Sequence, residues 1–296
     1  MITEQQVKFY QDNGYLVVEH VLSPEQLDAL RREVDELVEK SAAVRENDAV
    51  YDLEDTHTPE HPRVRRIKTP HQVMPSVGVL MSDPTLVAIL TRLIGPGVRF
   101  QTSKLNMKSA GFGAAVEWHQ DWAFYPHTND DLLAVGIMLD DVTEENGPMM
   151  VVPRSHRGPI YDHHQDGYFC GAIDPQRCEI DFSQAVPITG PAGSMSFHHV
   201  RTMHGSALNR SARDRRFLLF QYTAVDAWPL VKPVSDIDAY DKMIVAGQPT
   251  LAPRLSSAPV RMPLPPAPHE GSIYENQRSR QQRFFETYRE EIGASR

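Results

Sequence analysis

The sequence predicts a mainly β fold in which helices pack on an antiparallel sandwich or barrel. Three observations predict it. Two amphipathic helical segments occupy the first third of the chain, several short runs of branched and aromatic residues follow, and glycine–proline turn signals separate those runs. The 296 residues suit one unit of this kind, because sandwiches and barrels of ~200–250 residues routinely fold as one domain. No linker or internal repeat divides the chain.

The first helix is signalled by Ser23-Pro24-Glu25-Gln26. Ser23 supplies a capping oxygen, Pro24 suits the first helical position, and Gln26 stands three residues past the cap, within reach of it. Leu22 and Leu27 are placed to staple the opening turn. Leu27, Leu30, Val34 and Leu37 then recur at helical spacing, with Arg31, Arg32, Glu33, Asp35 and Glu36 between them. A second helix is predicted between Asp83-Pro84 and Gly95-Pro96, with Leu86, Ile89, Leu90 and Leu93 as its buried stripe. From Val98 the pattern changes. Residues 98–107, 132–139, 149–152, 194–198 and 217–225 read as strands, punctuated by Asn146-Gly147-Pro148 and Gly190-Pro191-Ala192-Gly193. The proline-dense stretch 249–268 predicts an extended arm, and 276–291 a polar helix.

Composition excludes several functions. Thirty basic residues against 39 acidic ones leave a formal charge of −9, which argues against nucleic acid as a partner. No run of ~18 apolar residues is present to span a membrane, and the first residues carry no basic-then-apolar leader. Cys170 and Cys178 are too few for a disulfide scaffold and do not have zinc-ribbon spacing, so reduced thiols and a cytoplasmic location are expected. Histidine is the abundant chemical residue, with 13 copies.

The most informative segment is Val116-Glu117-Trp118-His119-Gln120-Asp121-Trp122. In a strand, residues i and i+2 face the same side, so His119 and Asp121 would project together. An imidazole and a carboxylate can each give a lone pair to a divalent metal. A second histidine from a distant strand would complete a 2-His-1-carboxylate triad that leaves coordination positions open, as non-haem Fe(II) oxygenases require. His156, His163, His164, His198, His199 and His204 are the candidates for that second histidine. His-x-Asp alone is a weak signal, since two polar residues at a strand end spell the same pattern.

Two segments carry a more specific signal: Trp118-His119-Gln120-Asp121-Trp122 with Phe124-Tyr125-Pro126, and Met203-His204-Gly205-Ser206 with Asn209, Ser211, Arg215 and Arg216. Together they resemble the phytanoyl-CoA dioxygenase superfamily, Fe(II)- and 2-oxoglutarate-dependent oxygenases that include ectoine hydroxylase. Residues 9–18 are similar to the family's opening helix-turn-strand. Asn146-Gly147-Pro148 and Val152-Pro153-Arg154-Ser155-His156-Arg157 resemble a further stretch, with Arg154 in place of a glycine.

The resemblance implies a double-stranded β-helix (jelly-roll, cupin-like) core over 98–226, a helical support and entrance loop over 1–97, and a C-terminal extension over 227–296, all in one domain. It implies His119, Asp121 and His204 as iron ligands, with Fe(II), 2-oxoglutarate and dioxygen as cofactor and cosubstrates. Arg215 stands where the family keeps its 2-oxoglutarate arginine, and a planar guanidinium can grip a carboxylate through two parallel bonds. Ser206 matches the assisting serine. Arg213 and Arg216 are the alternatives, although Arg216 would face the opposite side of a strand. Asn106 and Lys68 are expected as further cosubstrate contacts, with Lys104 and Thr102 on the same strand face as Asn106.

The reaction implied is hydroxylation of an unactivated C–H bond of a small metabolite or natural-product intermediate, with release of succinate and CO2. Asp121 keeps the carboxylate that halogenases of the superfamily replace. Gln101, Trp122, Phe124 and Tyr125 are expected on the substrate side. Aromatic residues there suit a cationic headgroup or ordinary packing equally. An acyl-CoA substrate, a non-catalytic cupin-like binding protein and a zinc hydrolase are the alternatives, the last having no use for the distal arginine. His198 and His199 end the strand that begins at Ser194, where a buried, hydrogen-bonded role is expected and one of them reaching the pocket is the alternative. His156 is expected to fix a turn, and His57, His61 and His71 to lie in an entrance loop over 51–75. A small-molecule partner is expected, with no nucleic acid or membrane, in a monomer or homodimer.

Overall fold

The computed structural model describes residues 1–111, 113–267, 272–280 and 282–286. Two capping boxes start the first helices, Glu4–Asn13 (α1) and Pro24–Lys40 (α2). The hydroxyls of Thr3 and Ser23 accept the amides of Gln6 and Gln26, whose side chains accept the cap N–H in return. Gly14 ends α1 with φ +80°. A Cβ there would lie 2.4 Å from the ring of His156, whose Nε2 sits 3.0 Å from the Gln11 carbonyl. The three short helices Pro70–Val73, Pro75–Leu80 and Pro84–Ile94 (α3–α5) each begin at a proline, whose fixed φ suits a first turn.

The strands follow as β1 (Tyr15–Val18), β2 (Tyr51–Leu53), β3 (Val64–Lys68), β4 (Val98–Lys108), β5 (Val116–His119), β6 (Leu132–Met138) and β7 (Met149–Val151). After these come β8 (His164–Gln165), β9 (Tyr168–Phe169), β10 (Val186–Ile188), β11 (Met195–His199), β12 (His204–Ser206), β13 (Arg215–Ala224) and β14 (Ile244–Ala246). The large sheet runs β1-β11-β6-β13-β4-β3-β2, with β14 also beside β4. The small sheet runs β10-β7-β12-β5, and β8 and β9 form a separate hairpin.

Strand alternation sorts the side chains of the large sheet. Leu218, Phe220 and Tyr222 of β13, Leu105 of β4 and Phe197 of β11 meet Leu30 and Val34 of α2 and Leu86, Ile89 and Leu90 of α5 in one core. Each such side chain, fully buried, contributes about 1.5–3 kcal/mol. Phe217 and Leu219, on the opposite face of β13, pack with Met149, Val151 and Ile188 of the small sheet. Two antiparallel sheets with helices on one outer face make this a jelly roll. Among the described residues no helix is long and apolar enough to cross a membrane.

The N-terminal third is more than helical support, because β1, β2 and β3 extend the large sheet at both edges. The polar helix expected over 276–291 does not form in its described part. A four-residue helix, Ile273–Asn276, passes into a 3-10 turn at Gln277–Ser279, and 287–291 lie outside the described residues. The stretch 249–267 is an arm without regular structure.

Candidate active site

β5 and β12 run antiparallel with His204 directly opposite His119, the two rings 4.1 Å apart. Gln120 keeps an extended backbone (φ −118°, ψ 127°) before the chain turns into the 3-10 segment Asp121–Ala123. The two-residue parity therefore carries Asp121 to the same side as His119. One ligand atom from each of His119, Asp121 and His204 lies within 4.8 Å of the others, and all three residues are buried. Nε2 of His119 is 3.8 Å, and Nε2 of His204 3.9 Å, from Asp121 Oδ1.

The remaining nitrogen of each ring is occupied. His119 Nδ1 lies 2.8 Å from the Glu117 carbonyl, and His204 Nδ1 lies 2.9 Å from that of Thr202. A carbonyl only accepts, so Nδ1 holds the proton and Nε2 presents a lone pair, the tautomer in which imidazole binds a metal. Burial pushes His119 down to about 4, against the pull of Asp121. Burial and then the neighbouring rings of His119 and His198 hold His204 well below the usual histidine range. Burial alone would raise Asp121, but His204, His198 and Lys104 outweigh it and keep the carboxyl well below its ordinary range. Gln120, between the two ligand candidates, is itself pinned, since its backbone N–H donates to His163 Nε2 at 2.9 Å and its side-chain amide donates to the Pro159 and Arg201 carbonyls.

A third imidazole joins this group. His198 Nε2 is 3.4 Å from Asp121 Oδ2, and both its ring nitrogens are buried without a hydrogen-bond partner. Of the two alternatives for the end of this strand, His198 takes the one that reaches the pocket. Alternation along β11 sends Met195 and Phe197 to the helix-side core and His198 to the other face.

A cavity of about 790 Å³, mouth included, opens on these groups. Thr102, Lys104 and Asn106 of β4 face it, as do Arg215, Phe217, Leu219 and Gln221 of β13. Arg215 is buried at one end, opposite Lys108 in register, and among the described residues its Nε has no hydrogen-bond partner. Burial pushes the guanidinium down to about 10. Lys108 donates to the Ser206 hydroxyl at 2.9 Å and to the Ala207 carbonyl. Ser206 lines the same end, and Asn106 Oδ1 is buried there without a partner.

Tyr125 also faces the cavity, its hydroxyl held well above the usual range by burial and by Asp121. The other expected residues lie elsewhere. Lys68 is bound to Asp52 at 2.9 Å and to the Asp48 carbonyl, at the end of β3 and outside the cavity wall. Gln101 lies where the register between β4 and β13 shifts, and donates to Thr223. Trp122 is fully buried, and its indole N–H holds the C-terminal arm through the Pro259 carbonyl at 2.8 Å. Phe124 stands edge-on behind His119 and against Phe169. Arg216 faces outward and forks onto Asp140 at 3.0 and 2.7 Å. Cys170 and Cys178 are free thiols.

Three cavity neighbours were not singled out from the sequence. Lys108 has the same parity as Lys104 and Asn106, so alternation could have found it. Ile273 and Tyr274 come from the short helix after the arm, with Tyr274 buried beside Arg215 and under the Arg65 guanidinium at 5.2 Å. No local motif marks them.

The sequence profile described as phytanoyl-CoA dioxygenase matches residues 10–217. A probable alpha-ketoglutarate-dependent hypophosphite dioxygenase of Stutzerimonas stutzeri is 37% identical over 289 residues, covering 96% of this chain and 100% of its own. The ectoine dioxygenase of Bordetella parapertussis is 31% identical over 76% of each chain, and the L-proline trans-4-hydroxylase of Streptomyces griseoviridis 31% identical over 74% of this chain and 86% of its own. Among solved structures, EctD from S. alaskensis with 2-oxoglutarate and 5-hydroxyectoine superposes with a TM-score of 0.64 at 27% identity, covering 76% of this chain and 77% of that one.

Proposed function

From the premise that the chain belongs to the phytanoyl-CoA dioxygenase family, and is an Fe(II)- and 2-oxoglutarate-dependent dioxygenase acting on a small molecule, we propose that His119, Asp121 and His204 hold its iron. Arg215, with Ser206 and Asn106, would hold the distal carboxylate of 2-oxoglutarate. The observation that carries this reading is the pair of imidazoles whose Nδ1 atoms are tied to backbone carbonyls, leaving both Nε2 lone pairs beside one buried carboxylate. The partnerless Nε of Arg215 supports the cosubstrate end, because a buried guanidinium without a partner is costly unless an anion completes it.

When bound, iron and 2-oxoglutarate supply the oxidising chemistry, with succinate and CO2 released. The residues supply geometry. The carbonyls of Glu117 and Thr202 fix the ring orientations, and Gln120 is locked by His163 so that the two ligands flanking it cannot rotate apart. Lys108 fixes the Ser206 oxygen, and Tyr125 faces Asp121 as a protonated hydroxyl. Phe217, Leu219 and Met149 line the cavity with apolar surface that limits water around the reacting centre.

The free thiols Cys170 and Cys178 support a cytoplasmic location, and the protein is proposed to act as a monomer or homodimer. The test of the site is oxygen-free Fe(II) titration followed by 2-oxoglutarate titration of the wild-type protein and of His119→Ala and His204→Ala. Stoichiometric metal binding that both variants lose is expected. Full metal affinity in either variant would refute the assignment.

A further inference from the structure

The cavity has a charged group that the iron and cosubstrate reading leaves unused. Lys104 faces the cavity from β4, and among the described residues its ammonium makes no hydrogen bond or ion pair. It pairs in register with Leu219, whereas Arg215 pairs with Lys108. Lys104 and Arg215 thus stand four residues apart along the sheet, ~13 Å at the usual strand rise. One short diacid with its distal carboxylate on Arg215 does not also reach Lys104 across that span.

Charge counting sharpens the point. Ferrous iron brings two positive charges, Asp121 one negative and 2-oxoglutarate two negative, so the loaded centre carries one net negative charge. Arg215 cancels it. Lys108 stands behind Ser206, bonded to its hydroxyl and to the Ala207 carbonyl, and burial and then Arg215 hold its ammonium well below the usual lysine range. Lys104 remains as an uncompensated cation, and the basic residues behind it add to the field, because Arg66 and Lys68 share the single carboxylate of Asp52. Thr102, Gln221 and Tyr125 line the same cavity as Lys104 and bring polar groups able to bond an oxyanion. A neutral substrate would leave a largely buried charge unmatched, and a cationic one would be repelled.

We propose that the substrate is a small monoanion whose charge is taken by Lys104. The inference rests on the iron and 2-oxoglutarate reading above and narrows the substrate class of that same site. The ligand chemistry is that of an oxyanion, which a phosphorus acid or a carboxylic acid would both provide.

The test is calorimetric and free of oxygen. The iron-loaded protein is titrated first with 2-oxoglutarate. The resulting complex is then titrated with hypophosphite, phosphite and propionate, and with propionamide and propylamine as neutral and cationic counterparts. At least one anion should bind about tenfold or more tighter than both counterparts, a difference of about 1.4 kcal/mol. Lys104→Met should weaken that anion by about tenfold or more, and Lys104→Arg should recover it to within about threefold, as expected for one charge-assisted bond. Binding of a phosphorus oxyanion without propionate, or the reverse, supports the proposal and assigns the source. The proposal is overturned if propionamide or propylamine binds as tightly as the anions, if no anion binds, or if Lys104→Met changes nothing. Failure at the first titration, of 2-oxoglutarate itself, brings down the dioxygenase site and this inference together. Success there without anion preference brings down the inference alone.

Discussion

Replacing Arg215 by lysine keeps the positive charge and removes the fork. Arg215 is 3% exposed, and among the described residues its Nε has no hydrogen-bond partner. A carboxylate gripped there would therefore exchange two charge-assisted hydrogen bonds for at most one, made by a shorter side chain. Charge-assisted bonds contribute ~1.5–3 kcal/mol each, and this guanidinium is buried. A cost of ~2–3 kcal/mol corresponds to roughly a 30- to 140-fold rise in the 2-oxoglutarate concentration at half-saturation. The assay is succinate release against 2-oxoglutarate concentration, with oxygen-free calorimetry of the iron-loaded protein to separate binding from turnover. Arg216→Lys is the control, since Arg216 forks onto Asp140 on the outer face and reaches Asp35 at 2.8 Å. A half-saturation within twofold of wild type for Arg215→Lys, in a protein that melts normally, would refute the role given to the guanidinium.

Asp121→Ala should cut iron-dependent 2-oxoglutarate turnover by more than about 100-fold, because even outer partners of metal ligands are worth 10–100-fold; wild-type succinate release with saturating iron would contradict it. His198→Leu should weaken Fe(II) binding by about 10–100-fold through loss of the ring 3.4 Å from Asp121 Oδ2, with equilibrium metal titration as the readout and unchanged affinity as the refutation. Glu54 gives a pH prediction. Burial pushes its carboxyl up to about 7, Arg65 opposes and Asp55 adds to the rise, and Oε1 has no hydrogen-bond partner. The folded state therefore holds this proton between pH 4.5 and about 7 while the unfolded chain releases it, so stability falls as pH rises through that window. Glu54→Gln should remove that fall, leaving the variant more stable than the parent at pH 8 by on the order of 2 kcal/mol and no more stable at pH 4.5. Parallel melting curves for the two proteins across that range would show the carboxyl is not strained by burial.

The local signals in the sequence were read where local physics decides. Ser23 and Gln26 form the capping box that their spacing predicts, Leu30, Val34, Leu86 and Leu90 are buried, and the two-residue offset of His119 and Asp121 places both on one side of β5. The failures share a cause, which is register and tertiary override. Gln101 is the residue whose side of the sheet depends on the irregularity between Gln221 and Tyr222, and nothing in Val98–Lys108 announces it. Trp122 looks like a pocket aromatic beside a metal motif, yet its indole is claimed by Pro259, 137 residues away. Tyr274 reaches the cavity from a four-residue helix far along the chain from every strand that lines it. Lys68 is held by Asp52, and that pairing depends on β2 joining β3, a three-residue strand too short to read.

His198 shows how far alternation alone could have gone. Met195 and Phe197 are apolar and Ser196 and His198 polar, so β11 has a clear inner and outer face once the strand is accepted. The register with β6 then sets His198 opposite Ala134, a small side chain that leaves room for the ring to reach Asp121. The same logic on β4 and β13 builds the cavity floor. Side chains two residues apart are ~6.6 Å apart along the strand, so Lys108 with Arg215, Asn106 with Phe217 and Lys104 with Leu219 form successive rungs. A strand pair presenting cations at rungs one and three, with an apolar side chain and an amide between them, can hold two separate anions and cannot be bridged by one short diacid. The fold class by itself says nothing about substrate charge; the rung occupied by Lys104 does. Replacing that single lysine is therefore the change that should move substrate preference, while His119, Asp121 and His204, carried by β5, the 3-10 turn after it and β12, keep their backbone positions.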